Sequence, residues 1–184
     1  MTDWETAFST PWFSVEWQYV RDQVGRIGTE PFYRFQLPDG AVILPITPEG
    51  RIVLIRQFRQ ALNRTTIEFP SGAIDPGETP EGAMTRELYE ETGYRCATMD
   101  LVLTGELRID RENAVNYFFV GQGAVRDPDY RSDEPIETLL VTPAESKALV
   151  LDGRFDQIAT LPTVLLAIWR LGLNFDVLWS GKPT

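Results

Sequence analysis

The stretch GAIDPGETPEGAMTRELYEETGY, residues 72–94, places a helix behind a turn-rich loop. Thr79 suits the N-cap and Pro80 the first helical position, Glu81 complements the positive end of the helix dipole, and Gly93 can take the left-handed conformation that ends the helix. Met84 and Leu88, four apart, turn one face toward a core. Glu87, Glu90 and Glu91 then share an arc of roughly 100°. Like charges four apart cost an isolated helix roughly 0.2–0.5 kcal/mol per pair, so local preference does not account for the crowding. Two arrangements do. One is a divalent cation, which takes carboxylate oxygens as ligands; the other is a solvated acidic face paired with Arg86 and Arg95. Ahead of the helix, Gly72 and Gly77 bracket a loop able to run close to a metal or phosphate. Glu78 is placed to pair with Arg86 and tie that loop to the helix.

Upstream, AVILPIT and RIVLIRQF flank Pro48-Glu49-Gly50, which predicts a hairpin over residues 41–58. Further strands are expected near residues 66–69, 101–107, 115–120 and 136–141. A second helix starts at Thr142, where T-P-A-E offers Pro143 at the first position and Glu145 for a capping box. A third covers residues 162–171, with Val164, Leu165, Ile168 and Leu171 as its buried stripe. Near the start of the chain, Phe13, Val15, Trp17 and Tyr19 alternate with polar residues at the period of a half-buried strand. Strand character resumes at residues 32–37 after a turn-rich stretch. Residues 1–38 are therefore expected to form a small antiparallel sheet, and residues 39–184 the main domain. Strands, one helix, more strands and then helices point to a mixed α/β sandwich, not a regular βαβ array.

At 184 residues, 43% of them hydrophobic, the chain suits one folded domain with a small appendage. Its apolar runs fall short of the roughly 20 residues a membrane span needs, so no membrane association is expected. Residues 1–10 carry no positive side chain and no apolar run, unlike a secretory signal. The single cysteine, Cys96, cannot form an internal disulfide, and the cytoplasm is the expected compartment. With no histidine in the chain, serine-histidine triads and histidine-ligated zinc are excluded, and Cys96 lacks an activating base and reads as a core filler. A net charge of -10 argues against nucleic acid as a partner. A small phosphorylated ligand remains compatible if a bound cation supplies positive charge.

Gly72, Glu78, Arg86, Glu87, Leu88, Glu90, Glu91 and Gly93 stand at the spacing GX5EX7REUXEEXGU, with U an aliphatic residue, and the chain thereby resembles the Nudix hydrolase family. Tyr94 at the final U is the departure. IRQFR (residues 55–59) and IEFPSG (residues 67–72) look like segments of its ADP-ribose and nucleotide-sugar pyrophosphatase branch. The resemblance implies a Nudix α/β/α sandwich with a mixed sheet. It also implies a metal-dependent hydrolase that cleaves the pyrophosphate of a nucleotide sugar, foremost ADP-ribose, to AMP and ribose 5-phosphate. By position, Glu87 and Glu91 would bind the cation, Mg²⁺ or else Mn²⁺, with Glu90 as a further ligand or outer partner and the Ser71 carbonyl as a backbone ligand. Gly72, Glu78, Arg86 and Gly93 would be structural.

Outside that motif, Arg59 is expected to bind phosphate with help from Arg56, because a guanidinium fork suits phosphate geometry. Glu68 either binds metal or substrate or pairs with an arginine. Glu91 and Glu134 are the expected catalytic residues, with Glu134 taken as general base from Asp133, Glu134 and Glu137 of RSDEPIETLLV. In this branch an N-terminal sheet commonly builds a homodimer. The aromatics Trp4, Trp12, Phe13, Trp17, Tyr19, Phe32, Tyr33 and Phe35 would then pack the hairpin, or at Trp17 or Phe32 stack on a nucleobase. No proline stands between Pro80 and Pro128, where ADP-ribose hydrolases often carry one, and Asp110 stands where dinucleoside-polyphosphate hydrolases tend to have a tyrosine. A non-catalytic ligand sensor and a house-cleaning nucleoside triphosphate pyrophosphatase are the alternative readings.

Overall fold

The computed structural model describes residues 4–22, 24–132 and 134–171, the side chain of Ile168 excepted. They form two compact units: residues up to Asp39 with Gly105–Asn116, and Gly40–Thr104 with the residues from Tyr117 onward. In the first unit β1 (Glu5–Ser9), β2 (Ser14–Gln18) and β3 (Phe32–Gln36) pair antiparallel in that order. The Thr10 hydroxyl shapes the first turn, donating to the Phe13 carbonyl and accepting from the Phe13 N–H, both at 3.0 Å. The register sets Glu16 opposite Arg34, and these side chains pair at 2.9 Å. The Phe35 N–H donates to the Arg111 carbonyl and the Asn113 amide to Gln36, both at 2.7 Å, holding the 105–116 segment. No residue of the three strands is fully buried, and Trp12 beside them is 76% exposed.

The second unit holds β4 (Gly40–Ile46), β5 (Ile52–Arg59), β6 (Arg64–Glu68), β7 (Ser71–Ala73), α1 (Pro80–Thr92) and β8 (Tyr94–Arg95). It continues with β9 (Thr98–Glu106) and β10 (Val115–Gln122), whose ends belong to the first unit, then β11 (Val125–Arg126), β12 (Glu137–Val141), α2 (Pro143–Leu151) and α3 (Leu161–Leu171). The main sheet runs β12-β5-β4-β10-β9, with β6 pairing β5 and β7 pairing β4. Alternation along the strands divides their side chains between two cores. Ala41, Ile43, Val53 and Phe119 pack with Met84 and Leu88 of α1. Val42, Leu44, Ile46, Ile52, Leu54, Phe118 and Val120 pack on the other side with Leu149 of α2 and Ala167 of α3. Covering on both faces is why these strands read as unbroken apolar runs. The result is the expected α/β/α sandwich on a mixed sheet.

The caps form as their residues dictate. At α2, the Thr142 N–H donates to Glu145 Oε2 at 2.7 Å and the Glu145 N–H to Thr142 Oγ1 at 3.2 Å, a complete capping box. The stripe of α3 needs one correction: Leu165 is exposed and Ala167 is buried. Val164, Ala167 and Leu171 fall at i, i+3 and i+7 on one face, whereas Leu165 lies about 100° further round. The Ile168 side chain and Asp133 lie outside the described residues. Cys96 packs against the α1-side core, and burial pushes its thiol up to about 11, in keeping with a core filler. Among the described residues no helix is long and apolar enough to cross a membrane.

Candidate active site

The glutamate helix is anchored before it is charged. Thr79 Oγ1 accepts from the Gly82 N–H at 3.1 Å, Pro80 opens the first turn, and Gly93 closes the last with φ 74°. Met84 and Leu88 are fully buried, and Glu91 continues their line at i+7, so a carboxylate occupies the buried stripe. It is only 6% exposed. Its Oε2 accepts from the Ser71 N–H of β7 at 3.0 Å, which brings the β7 backbone against α1. Gly72 permits that approach, since a Cβ there would lie 2.0 Å from Cδ of Glu87.

Arg86 binds the loop to the helix. Its Nε and Nη2 donate to the two oxygens of Glu78 at 3.1 and 2.9 Å, and Nη2 also donates to the Ala73 carbonyl at 3.1 Å. Nη1 donates to Glu87 Oε1 at 2.7 Å and to Glu90 Oε2 at 3.0 Å. The Arg86 hydrogen bonds hold Glu78 below the usual carboxylate range. One guanidinium thus partly offsets three carboxylates, but it does not touch Glu91. Burial pushes Glu91 up to about 8, with the charges of Glu87 and Glu134 adding to that rise against the Ser71 N–H and Arg59. Burial also raises Glu87, despite Arg86, with Glu90 and Glu134 contributing.

Across the sheet from α1's partners, strand alternation sorts the arginines of IRQFR. Val53, Ile55, Gln57 and Arg59 share the α1 face of β5, whereas Arg56 belongs with Ile52 and Leu54 on the opposite face. Arg59 Nε and Nη2 donate to Glu68 Oε1 and Oε2 at 2.8 and 2.5 Å, and Thr66 Oγ1 donates to Glu68 Oε1 at 2.6 Å. Burial works to raise Glu68, but the Arg59 and Thr66 hydrogen bonds outweigh it and hold the carboxyl below its ordinary value. Glu68 is therefore the partner of Arg59. Arg56 instead pairs with Glu137 at 2.9 Å, its register neighbour on β12. Glu134 is exposed in the loop before β12 and lines a cavity of about 340 Å³ with Glu90 and Tyr130.

The structure brings together Glu87, Glu90, Glu91, Ser71, Gly72, Arg59 and Glu134, and separates Arg56 from them. It also shows two supports that have no local signal in the sequence. The Gln157 side chain accepts from the Phe69 N–H at 3.1 Å and donates to Ser71 Oγ at 3.2 Å, bracing the turn into β7. Tyr130 packs on Gly93 and donates its hydroxyl to the Glu90 carbonyl.

The donor set fits a hard divalent cation: carboxylates of Glu87, Glu90 and Glu91 beside a backbone carbonyl at Ser71. Burial of Glu91 beside Glu87, only partly offset by the Ser71 N–H and Arg59, is the charge environment such an ion would relieve. Among the described residues no three acidic side chains already close on one point, and Arg86 holds one oxygen each of Glu87 and Glu90.

The NUDIX domain family model matches residues 36–161. An ADP-ribose pyrophosphatase of Bacillus subtilis (strain 168) is 47% identical over 57 residues, 31% of this chain and 31% of that protein. A methanol dehydrogenase activator of Bacillus methanolicus is 31% identical over 86 residues, 47% of this chain and 46% of that protein. The matched stretches thus span 31% and 46% of these relatives' lengths, less than half of either. A crystal structure of an ADP compounds hydrolase superposes with a TM-score of 0.77 over 94% of both chains at 22% identity, which shows a common fold.

Proposed function

The chain belongs to the Nudix family, and on that premise we propose that it is a divalent-metal-dependent pyrophosphatase of nucleotide sugars, with ADP-ribose as substrate and AMP and ribose 5-phosphate as products. The observation that carries the reading is the buried Glu91 carboxylate beside Glu87, held against the Ser71–Gly72 backbone. Glu87, Glu91, Glu90 and the Ser71 carbonyl would hold Mg²⁺, with Mn²⁺ as a substitute. When bound, such an ion neutralises the pyrophosphate and makes water a better nucleophile.

The chain's own groups do the rest. Arg86 fixes the loop and keeps Glu87 and Glu90 oriented. Arg59 spends Nε and Nη2 on Glu68, which leaves Nη1 outside that contact to donate to a phosphate oxygen. Glu68 then acts by aiming Arg59. Glu134, in the exposed loop, accepts the proton as water forms its bond to phosphorus, and the phosphoanhydride P–O bond breaks to release the other phosphate. The exposed aromatics of the N-terminal sheet suit a homodimer, which light scattering at micromolar concentration tests; a monomeric mass counts against it.

The test is incubation of the purified chain with ADP-ribose and Mg²⁺, with products identified by mass. AMP and ribose 5-phosphate are expected from the native chain and not from Glu91→Gln. Undiminished turnover by a folded Glu91→Gln protein overturns the assignment.

A further inference from the structure

Glu134 stands in an exposed loop, and a base that must meet one water molecule needs that loop held still. We propose that Tyr130 is the positioning residue that docks this loop on the last turn of α1 and thereby aims Glu134 at the cavity it shares with Glu90. The inference rests on the reading of Glu134 as the base.

The dock is built from α1 outward. A helix leaves its last carbonyls without intrahelical partners. At α1, the Tyr89 carbonyl is taken by the Gly93 N–H, and the Glu90 carbonyl by the Tyr130 hydroxyl at 2.5 Å. The Tyr130 ring lies where a side chain at position 93 would stand: a Cβ on Gly93 would fall 2.4 Å from Cγ of Tyr130. Gly93 therefore serves two needs, its φ of 74° and the close approach of Tyr130. Two more tethers lie upstream in the loop. The Asp127 N–H donates to the Gly93 carbonyl at 2.9 Å, and the Tyr89 hydroxyl donates to Asp127 Oδ2 at 3.0 Å. The rings of Tyr89 and Tyr130 meet edge-on with centroids 5.4 Å apart.

Chain length says what Tyr130 contributes. Glu134 lies three residues before Glu137, where β12 already holds the chain, so Tyr130 fixes the other end of the span: it stands four residues, at most roughly 14 Å, from Glu134, whereas Asp127 stands seven residues, at most roughly 24 Å, away. Ser132 shortens the reach further, since its hydroxyl donates to the Glu134 carbonyl at 2.8 Å and accepts from the Glu134 N–H at 3.1 Å.

The experiment is a double-mutant cycle on ADP-ribose turnover with Mg²⁺, using Tyr130→Phe, Glu134→Gln and the pair, with circular dichroism to verify folding. Tyr130→Phe removes the hydroxyl and leaves the ring on Gly93. It is expected to lower kcat about three- to tenfold with KM within about twofold, and the double variant is expected to be no slower than Glu134→Gln alone. Tyr89→Phe, which removes the side-chain tether of Asp127 and leaves its backbone bond to Gly93, should act in the same direction and be equally silent on top of Glu134→Gln. Tyr130→Phe slowing the Glu134→Gln protein by its full single-variant factor overturns the inference, because Tyr130 then acts independently of Glu134. Loss of turnover in Glu134→Gln with none in Tyr130→Phe or Tyr89→Phe also overturns it, while leaving the reading of the site intact. No loss in Glu134→Gln overturns both.

Discussion

Replacing Glu91 by Gln should make the metal-free protein more stable at alkaline pH while removing its activity. In the folded chain burial pushes this carboxyl from its ordinary 4.5 up to about 8. Between those values the folded state holds a proton that the unfolded state has released. Stability from this group is therefore fully present below about pH 4.5 and falls as pH rises to about 8. Each pH unit in that window costs about 1.4 kcal/mol, so keeping Glu91 protonated in the folded state costs about 3 kcal/mol at neutral pH, and burying it ionised costs about 5 kcal/mol once the window is passed. Gln keeps the shape and an oxygen to accept the Ser71 N–H, so the variant escapes the charge penalty without losing that contact. Glu68, Glu78 and Asp127 are held below their ordinary values and give the opposite slope, losing stability as pH falls. They are common to both proteins and cancel in the difference. The assay is urea unfolding in chelator at about pH 5, 7 and 9, repeated with excess Mg²⁺. The two proteins should converge near pH 5, and Glu91→Gln should lead by several kcal/mol near pH 9. Mg²⁺ should close the gap by stabilising only the native protein, about 2.7 kcal/mol at a hundredfold excess over its dissociation constant. A Glu91→Gln protein no more stable than the native one near pH 9 in chelator refutes the reasoning.

Two further outcomes follow from the same geometry. Gly72→Ala puts a Cβ 2.0 Å from Cδ of Glu87, a flexible side chain that can swing away, so unfolding free energy should change by about 1 kcal/mol or less while turnover falls at least about tenfold. Equal losses in denaturation midpoint and activity would count against a role for this approach. Arg56→Ala breaks an exposed pair with Glu137 on the far sheet face, so its stability should shift by about 0.5 kcal/mol and its KM stay near native, whereas Arg59→Ala leaves Glu68 buried without its partner at a cost of about 3 kcal/mol and raises KM. Steady-state kinetics and thermal melting on both variants distinguish the two arginines.

Most of the fold was legible because its signals are local. The caps at Thr79 and Thr142, the Pro48-Glu49-Gly50 hairpin and the apolar runs that become strands each depend on residues a few positions apart. The supports of the site are not local. Gln157 reaches Ser71 across 86 positions and Tyr130 reaches Glu90 across 40, and a glutamine or tyrosine in a loop carries no mark of such a destination.

Two features could have been read further from the sequence itself. Arg56 and Arg59 are three apart on one strand, and an odd separation sends side chains to opposite faces, so both cannot bind one phosphate. The choice between them follows from the chain's own pairing: Ile55 opposite Glu68 puts Glu68 on the face of Arg59, where Val53 already meets α1. Likewise Met84, Leu88 and Glu91 form one helical line, and that line places Glu91 in the core while Glu90 stays at the surface. The three glutamates are therefore unequal before any ion is considered. Glu90 can share Arg86 with Glu87, but Glu91 faces the partly buried Glu87 carboxylate and the Ser71–Gly72 backbone, and it is the residue whose charge a bound cation would balance.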